Sequence, residues 1–356
     1  MRPRPRAVAL AALLVLVALG GLEIALRLAR FDAALWYRPD PQLGWTFRPG
    51  VEGIYKREGR GHVRANRAGF RDSERLVDKP DGVYRIAVLG DSYTEAMQVD
   101  VHRTYWRLLP ARLQRCGFAG GKDIETLGFA ATGYGTGQEA ILLETVAMRY
   151  QPDLVLLQFS PADDVQNNSL FLAHEKGRPY FLLDPKGVLR LDDSFADRPS
   201  FQSHASFWRE GVRKLSDRSR SVQLAFRLRD TSLFGEAQAG HGADYRPLPL
   251  LPPRDERWEE AWRITEALLV RMHHYSARNG ARFALFTAPH PAQLGEQPVP
   301  YAEERIQGFA KRRSIAAYSL AGALKGRRDL YFERHWNEAG HAAVADLLAA
   351  QLCARQ

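Results

Sequence analysis

From Val83 onward the chain alternates short apolar segments with helix-like stretches, and this alternation constrains the fold more than any other feature. Tyr84-Arg85-Ile86-Ala87-Val88-Leu89 is β-rich and stops at Gly90-Asp91-Ser92, before a helix expected to run toward Cys116. A second strand fits Ile124 to Phe129, followed by a helix from about Gln138 to Tyr150. The third, Asp153 to Phe159, is almost uniformly apolar, as a strand covered on both faces must be. After a long irregular interval, Asp255 to Asn279 reads as an amphipathic helix and Arg282 to Thr287 as a fourth strand. Ser314 to Tyr318 is a fifth, and a helix from Glu338 to about Cys353 closes the chain. Strands separated by helices imply right-handed crossovers, hence an α/β three-layer sandwich around a parallel sheet. Ligands in such sheets bind beyond the carboxyl ends of the strands, which directs attention to the loops after Leu89, Phe129 and Phe159.

The N-terminus is of a different kind. Arg2, Arg4 and Arg6 precede an uncharged apolar run from Ala7 to Leu22, which resumes after Glu23 and ends at Arg27 and Arg30. A spanning helix needs about 20 mostly apolar residues, so the run suffices with Glu23 near the interface, in i to i+4 reach of Arg27. Residues 1–30 therefore read as a membrane anchor whose basic leader stays inside while the rest is exported. A cleaved signal peptide is the alternative, although no clean A-x-A site follows.

Residues 31–82 are rich in Arg, Gly and Pro with weak alternation, as in Lys56-Arg57-Glu58-Gly59-Arg60-Gly61-His62, and read as a linker with short strands packed on the main domain. No catalytic role is assigned to them. Residues 83–356 form the main domain, with an insertion at about 167–253 that includes Trp208 and is long enough to cap a site. Trp258 and Trp262 read as core aromatics, with sugar stacking as the alternative. Cys116 and Cys353 show no metal-ligand spacing and read as free thiols, a disulfide in an oxidising compartment being the other possibility. The net charge of +9 is spread among 41 acids and comes with no basic helix or zinc-finger spacing, which argues against a nucleic-acid partner.

A serine hydroxyl attacks an ester only when a base, an orienting group and oxyanion donors surround it. Ser92 lies at a strand-to-helix turn, where the first helical amides face a developing negative charge. A helix-capping serine is the plain alternative. Nucleotide binding is disfavoured, since Gly90-Asp91-Ser92-Tyr93-Thr94-Glu95 lacks both G-x-G-x-x-G and G-K-[ST].

Four ordered blocks resemble those of SGNH (GDSL-type) hydrolases: Gly90-Asp91-Ser92-Tyr93-Thr94, then Gly133-Tyr134-Gly135-Thr136, then Ala162-Asp163-Asp164, and last His335-Trp336-Asn337 with Gly340-His341. The stretch Asn66-Arg67-Ala68-Gly69-Phe70-Arg71-Asp72 also resembles membrane-anchored bacterial members. The resemblance implies an SGNH hydrolase-like, flavodoxin-like sheet, a Ser92 nucleophile, a His335 base, and oxyanion donors at the amides of Ser92 and Gly133. The family's third donor is an Asn, and Asp163 stands in its place. A carboxylate cannot donate, so the role falls to a protonated Asp163, moves to Asn167 or Asn168, or is lost. The family's acid precedes its histidine by two or three residues, and here those positions hold Glu333 and Phe332, which makes Glu333 the expected orienting acid, with no side-chain acid at all, or Asp329, as the alternatives. His341 reads as structural, and His290 as a minor candidate for base or substrate contact. His273 and His274 face different directions on one helix, no H-E-x-x-H occurs, and neither metal nor cofactor is expected.

Together these imply ester chemistry on O-acyl groups of envelope glycans or lipids, by a protein anchored in the bacterial inner membrane with its catalytic part periplasmic or extracellular. Hydrolysis is preferred over acyl transfer. A non-catalytic scaffold that binds glycan or protein is the rival, and Asp163 is the residue in its favour.

Overall fold

The computed structural model describes residues 5–230, 248–295 and 299–354. Helix α1 (Pro5–Leu28) contains a stretch, Val8–Leu28, long and apolar enough to cross a membrane. Two short antiparallel hairpins follow, β1 (Tyr37–Asp40) with β2 (Gly44–Phe47), and β3 (Glu52–Tyr55) with β4 (Gly61–Arg64). The main sheet opens with β5 (Val83–Gly90), followed by the one-turn helix α2 (Ser92–Glu95), α3 (Tyr105–Arg115), β6 (Asp123–Ala130) and α4 (Thr136–Thr145). Next come β7 (Leu154–Phe159), the short α5 (Asp164–Asn167), and the hairpin β8 (Tyr180–Leu183) with β9 (Leu189–Asp192). Helices α6 (Pro199–Ala205), α7 (Phe207–Ser216) and α8 (Arg220–Asp230) precede α9 (Glu256–Arg278). The chain ends with β10 (Arg282–Thr287), α10 (Tyr301–Arg312), β11 (Ala316–Ser319), α11 (Ala321–Leu324) and α12 (Glu338–Cys353).

The five parallel strands lie in the order β11-β10-β7-β5-β6. Numbered by appearance within the sheet this is 2-1-3-4-5, the flavodoxin-like winding, which reverses direction at the first strand and opens a crevice at its carboxyl end. Ser92 lies two residues beyond that strand. Side chains alternate between two cores: Ala87, Leu89, Val155, Leu157 and Leu285 pack beneath α4, α9 and α10, while Ile86, Val88, Leu154, Leu156 and Phe286 pack beneath α3 and α12. Trp258 and Trp262 are buried, the latter within the first of these cores.

Three expectations are corrected. The helix after Ser92 stops after one turn, because Ala96 adopts a left-handed conformation (φ 51°) and the chain does not re-enter a helix of that layer until Tyr105. The interval 167–253 is not irregular throughout, since it holds β8, β9 and α6 to α8; its residues 231–247 and the Trp208 side chain lie outside those described. The cysteines are not free: α3 packs along α12, which brings Cys116 and Cys353 to a Cα–Cα distance of 6.2 Å and joins them in a disulfide.

That disulfide closes a loop across a sequence separation of 237 residues, so its removal frees the unfolded chain substantially. A C116A/C353A variant is expected to lose about 2–4 kcal/mol, seen as a melting temperature lower by roughly 5–10 °C, and reductant is expected to reproduce the shift in the parent protein. Thermal unfolding with and without reductant checks this.

Candidate active site

Asp91, not Ser92, caps α2: its Oδ1 accepts the Tyr93 amide at 2.9 Å. The Ser92 hydroxyl is thereby left for another partner, and its Oγ lies 2.8 Å from His335 Nε2. His335 stands just ahead of α12, whose first turn is closed by the Asn337 side chain accepting the Gly340 amide at 2.9 Å. Its ring packs 5.1 Å from that of Tyr93, and the Tyr93 hydroxyl donates to the Arg334 carbonyl at 2.9 Å.

The carboxylate against the far side of the imidazole belongs to Glu58. Its Oε2 lies 2.5 Å from His335 Nδ1, and its Oε1 accepts the amides of Arg334 at 2.6 Å and His335 at 2.9 Å. Burial pushes the Glu58 carboxyl up, but the His335 ring and those two amides outweigh it and bring it down to about 2. Glu333, the expected orienting acid, is exposed and makes no hydrogen bond or ion pair among the described residues. The physical reason is a tight turn: Phe332 donates to the His335 carbonyl at 2.8 Å, Tyr331 bridges to Trp336, and Glu333 and Arg334 occupy the tip. Asp329 pairs instead with Arg327 at 2.8 Å.

Glu58 reaches the site on the turn between β3 and β4. Gly59 there has φ +66°, and a Cβ would come within 2.6 Å of the Gln98 carbonyl and the Phe332 ring, so the approach requires glycine. The rest of the segment is fastened to the same loop. The buried Arg71 guanidinium donates to the carbonyls of Glu95 (2.8 Å), Ala96 (2.7 Å) and Val99, immediately beyond α2. Tyr37 donates to Glu95 Oε1 at 2.7 Å, and Glu95 Oε2 accepts the Thr132 amide at 3.0 Å, linking the helix that starts at Ser92 to the loop that carries Gly133. Burial pushes Glu95 up to about 7.

Gly133 has φ +79°, a left-handed conformation that favours glycine. Among the described residues neither its amide nor that of Ser92 donates to a protein acceptor, so both are available to an oxyanion. Asp163 is half-exposed, with Arg334 Nη2 3.9 Å from its Oδ1. Asn168 is occupied structurally, its Oδ1 taking the Gly137 amide and its Nδ2 donating to Thr265. Asn167 lies beside the Gly133 loop, donating to the Gly133 carbonyl at 3.4 Å.

Burial and the Asp163 charge raise Asp91 to about 7, and burial raises Glu139 and Asp164 well above the carboxylate range. His290 is buried and held down to about 4, with Nδ1 accepting the Ala292 amide at 3.1 Å. His341 is pushed down to about 3 by burial and accepts the Tyr105 amide beneath the site. Neither touches Ser92. No group of three or more metal-ligating side chains is gathered among the described residues.

Comparison with family models and with curated proteins finds no match. Among solved structures, TesA is 13% identical with a TM-score of 0.41, over 76% of this chain and 98% of its own. A GDSL-like lipase from Bacteroides thetaiotaomicron is 11% identical (TM-score 0.37; 76% and 89%), and an acetyl xylan esterase is 14% identical (TM-score 0.37; 75% and 98%). Likeness at these scores leaves the site's geometry to carry its own weight.

The Glu58 carboxyl is depressed in the folded state, so its contribution is present above its ordinary value of 4.5 and vanishes as pH falls toward 2. E58Q is expected to be less stable than the parent by on the order of 2 kcal/mol at pH 7, with the gap closing as pH falls through that window. Denaturant titrations over a pH series read this difference.

Proposed function

We propose that the chain is a serine esterase of the SGNH type that hydrolyses O-acyl, chiefly O-acetyl, esters of cell-envelope glycans or lipids. The observation that carries the reading is the continuous line from Ser92 Oγ to His335 Nε2 and from His335 Nδ1 to Glu58. A nucleophile, a base and an orienting acid meet there, at the carboxyl edge of a parallel sheet.

Glu58 accepts the Nδ1 proton, which leaves the Nε2 lone pair facing Ser92 and stabilises the imidazolium once it forms. Ser92 Oγ attacks the ester carbonyl as its proton passes to Nε2, and the charged oxygen falls to the amides of Ser92 and Gly133. His335 returns the proton to the departing alcohol oxygen, leaving the acyl group on Ser92. Water, deprotonated by His335, then releases the carboxylic acid and restores the hydroxyl.

The segment from Tyr37 to Arg75 belongs to the catalytic unit on this reading, since it supplies the acid. Helix α1 serves as a single-pass inner-membrane anchor with the catalytic part outside, supported by the Val8–Leu28 stretch and by a disulfide of the sort that persists in oxidising compartments. Asp163 favours a second reading, a non-catalytic scaffold, because an ionised carboxylate opposes an oxyanion.

Ser92 in the parent protein is expected to label with a fluorophosphonate and in S92A to stay unlabelled; an unreactive parent supports the scaffold. E58Q is expected to lower kcat for p-nitrophenyl acetate by about 10² to 10⁴, and E333A to leave it unchanged; equal effects would remove Glu58 from its assigned role. D163N, which adds a donor, is expected to raise turnover by about tenfold or more, and an unchanged rate would place Asp163 outside the oxyanion pocket.

A further inference from the structure

Away from the catalytic residues, a cavity of about 350 Å³ opens between the end of α1 and the β3–β4 hairpin. Five cations line it, Arg27, Arg30, Lys56, Arg60 and Arg220, against one acid, Asp32. Arg27 is compensated by Glu23 at 2.8 Å and Arg220 by Asp32 at 3.1 Å. Arg30, Lys56 and Arg60 are exposed and have no carboxylate partner among the described residues. Lys56 Nζ donates to the Arg30 carbonyl at 3.0 Å, which ties the hairpin to the end of the helix and still leaves the ammonium protons to spare. Three uncompensated cations around one cavity attract an anion with several acceptor oxygens. A phosphate group meets that description.

Position narrows the source of the phosphate. The apolar run of α1 ends at Glu23, whose carboxylate accepts the amides of Arg220 and Ser221, so the bilayer surface lies near that residue. The cavity begins at Arg27, one helical turn further out, at the level of the headgroups. Phe31 and Ile54 give it an apolar wall that suits the glycerol end of a lipid.

We propose that this cavity binds the phosphate-bearing headgroup of an anionic phospholipid. The proposal rests on reading α1 as a membrane anchor. Lys56 and Arg60 flank Glu58 in sequence, so a bound headgroup also steadies the turn that presents the carboxylate to His335.

The test places the full-length protein in nanodiscs of mixed phosphatidylcholine and phosphatidylglycerol and measures by native mass spectrometry which lipid stays bound on release. The parent is expected to retain phosphatidylglycerol selectively. Each charge removed is expected to lower that enrichment about fivefold, so R30Q/K56Q/R60Q loses it roughly a hundredfold. Equal enrichment in parent and variant overturns the proposal. Loss of the parent's enrichment on adding inorganic phosphate overturns the lipid assignment, because a free anion then suffices. If the triple variant does not unfold cooperatively in phosphatidylcholine discs, K56Q alone must show the fivefold drop or the proposal fails. A protein that never enters the discs refutes the anchor reading and the proposal with it, a result distinct from entry without selectivity.

Discussion

The carboxylate of Glu58 organises more than one side chain. By taking the amides of Arg334 and His335 on one oxygen and the imidazole on the other, it fixes both the backbone of the turn and the ring that the turn carries. The two partners lie 277 residues apart in sequence, so neither can adopt this arrangement until the hairpin and the C-terminal turn are both folded against the sheet. A small core makes that possible. Phe47, Val51, Val63 and Ala65 from the hairpins pack on Met97 from the loop beyond α2, and Arg71 holds the carbonyls of the same loop. Ser92 and Glu58 are therefore positioned by one body of packed residues.

The electrostatic setting follows from burial. Asp91, Glu139 and Asp164 are all buried near the carboxyl ends of the strands, and burial pushes each toward its neutral form. Carboxyls shifted toward the neutral form oppose a negative charge above Ser92 less than fully ionised ones would. Glu58 is held in the opposite direction by donors, so it remains ionised beside the His335 ring. Environment alone thus shifts carboxyl groups of one site in opposite directions.

Much of this was legible in the sequence. Apolar runs such as Leu154–Phe159 announce buried parallel strands because every side chain there meets a covering layer, and the observed β10 and α12 have the bounds read from their patterns. The blocks that mark strand ends point to Ser92, Gly133 and His335, and the first and last of these meet at 2.8 Å. Glu58 carried no such mark. It sits in Lys56-Arg57-Glu58-Gly59-Arg60, a run that looks like a solvated loop, and only tertiary packing removes it from water. Gly59 was the available signal, a glycine beside an acid where a side chain would collide with its neighbours. Glu333 misled for the converse reason: spacing along the chain says nothing about direction once a tight turn aims the residue outward. The disulfide was likewise set by the packing of α3 on α12, a contact between helices that no local pattern encodes.

The same dependence ties the site to the end of α1. The hairpin that bears Glu58 is linked backward to the helix, since Lys56 donates to the Arg30 carbonyl and the Ile54 amide donates to Asp32. Glu23, near the helix's end, accepts the amides of Arg220 and Ser221 at the start of α8, so the insertion is fastened there as well. With α1 read as an anchor, these bonds hold Ser92, His335 and Glu58 near the bilayer surface instead of leaving them on a free tether. A flexible linker would let Ser92 range far from the membrane, whereas on that reading the folded segment keeps it close to the lipid headgroups.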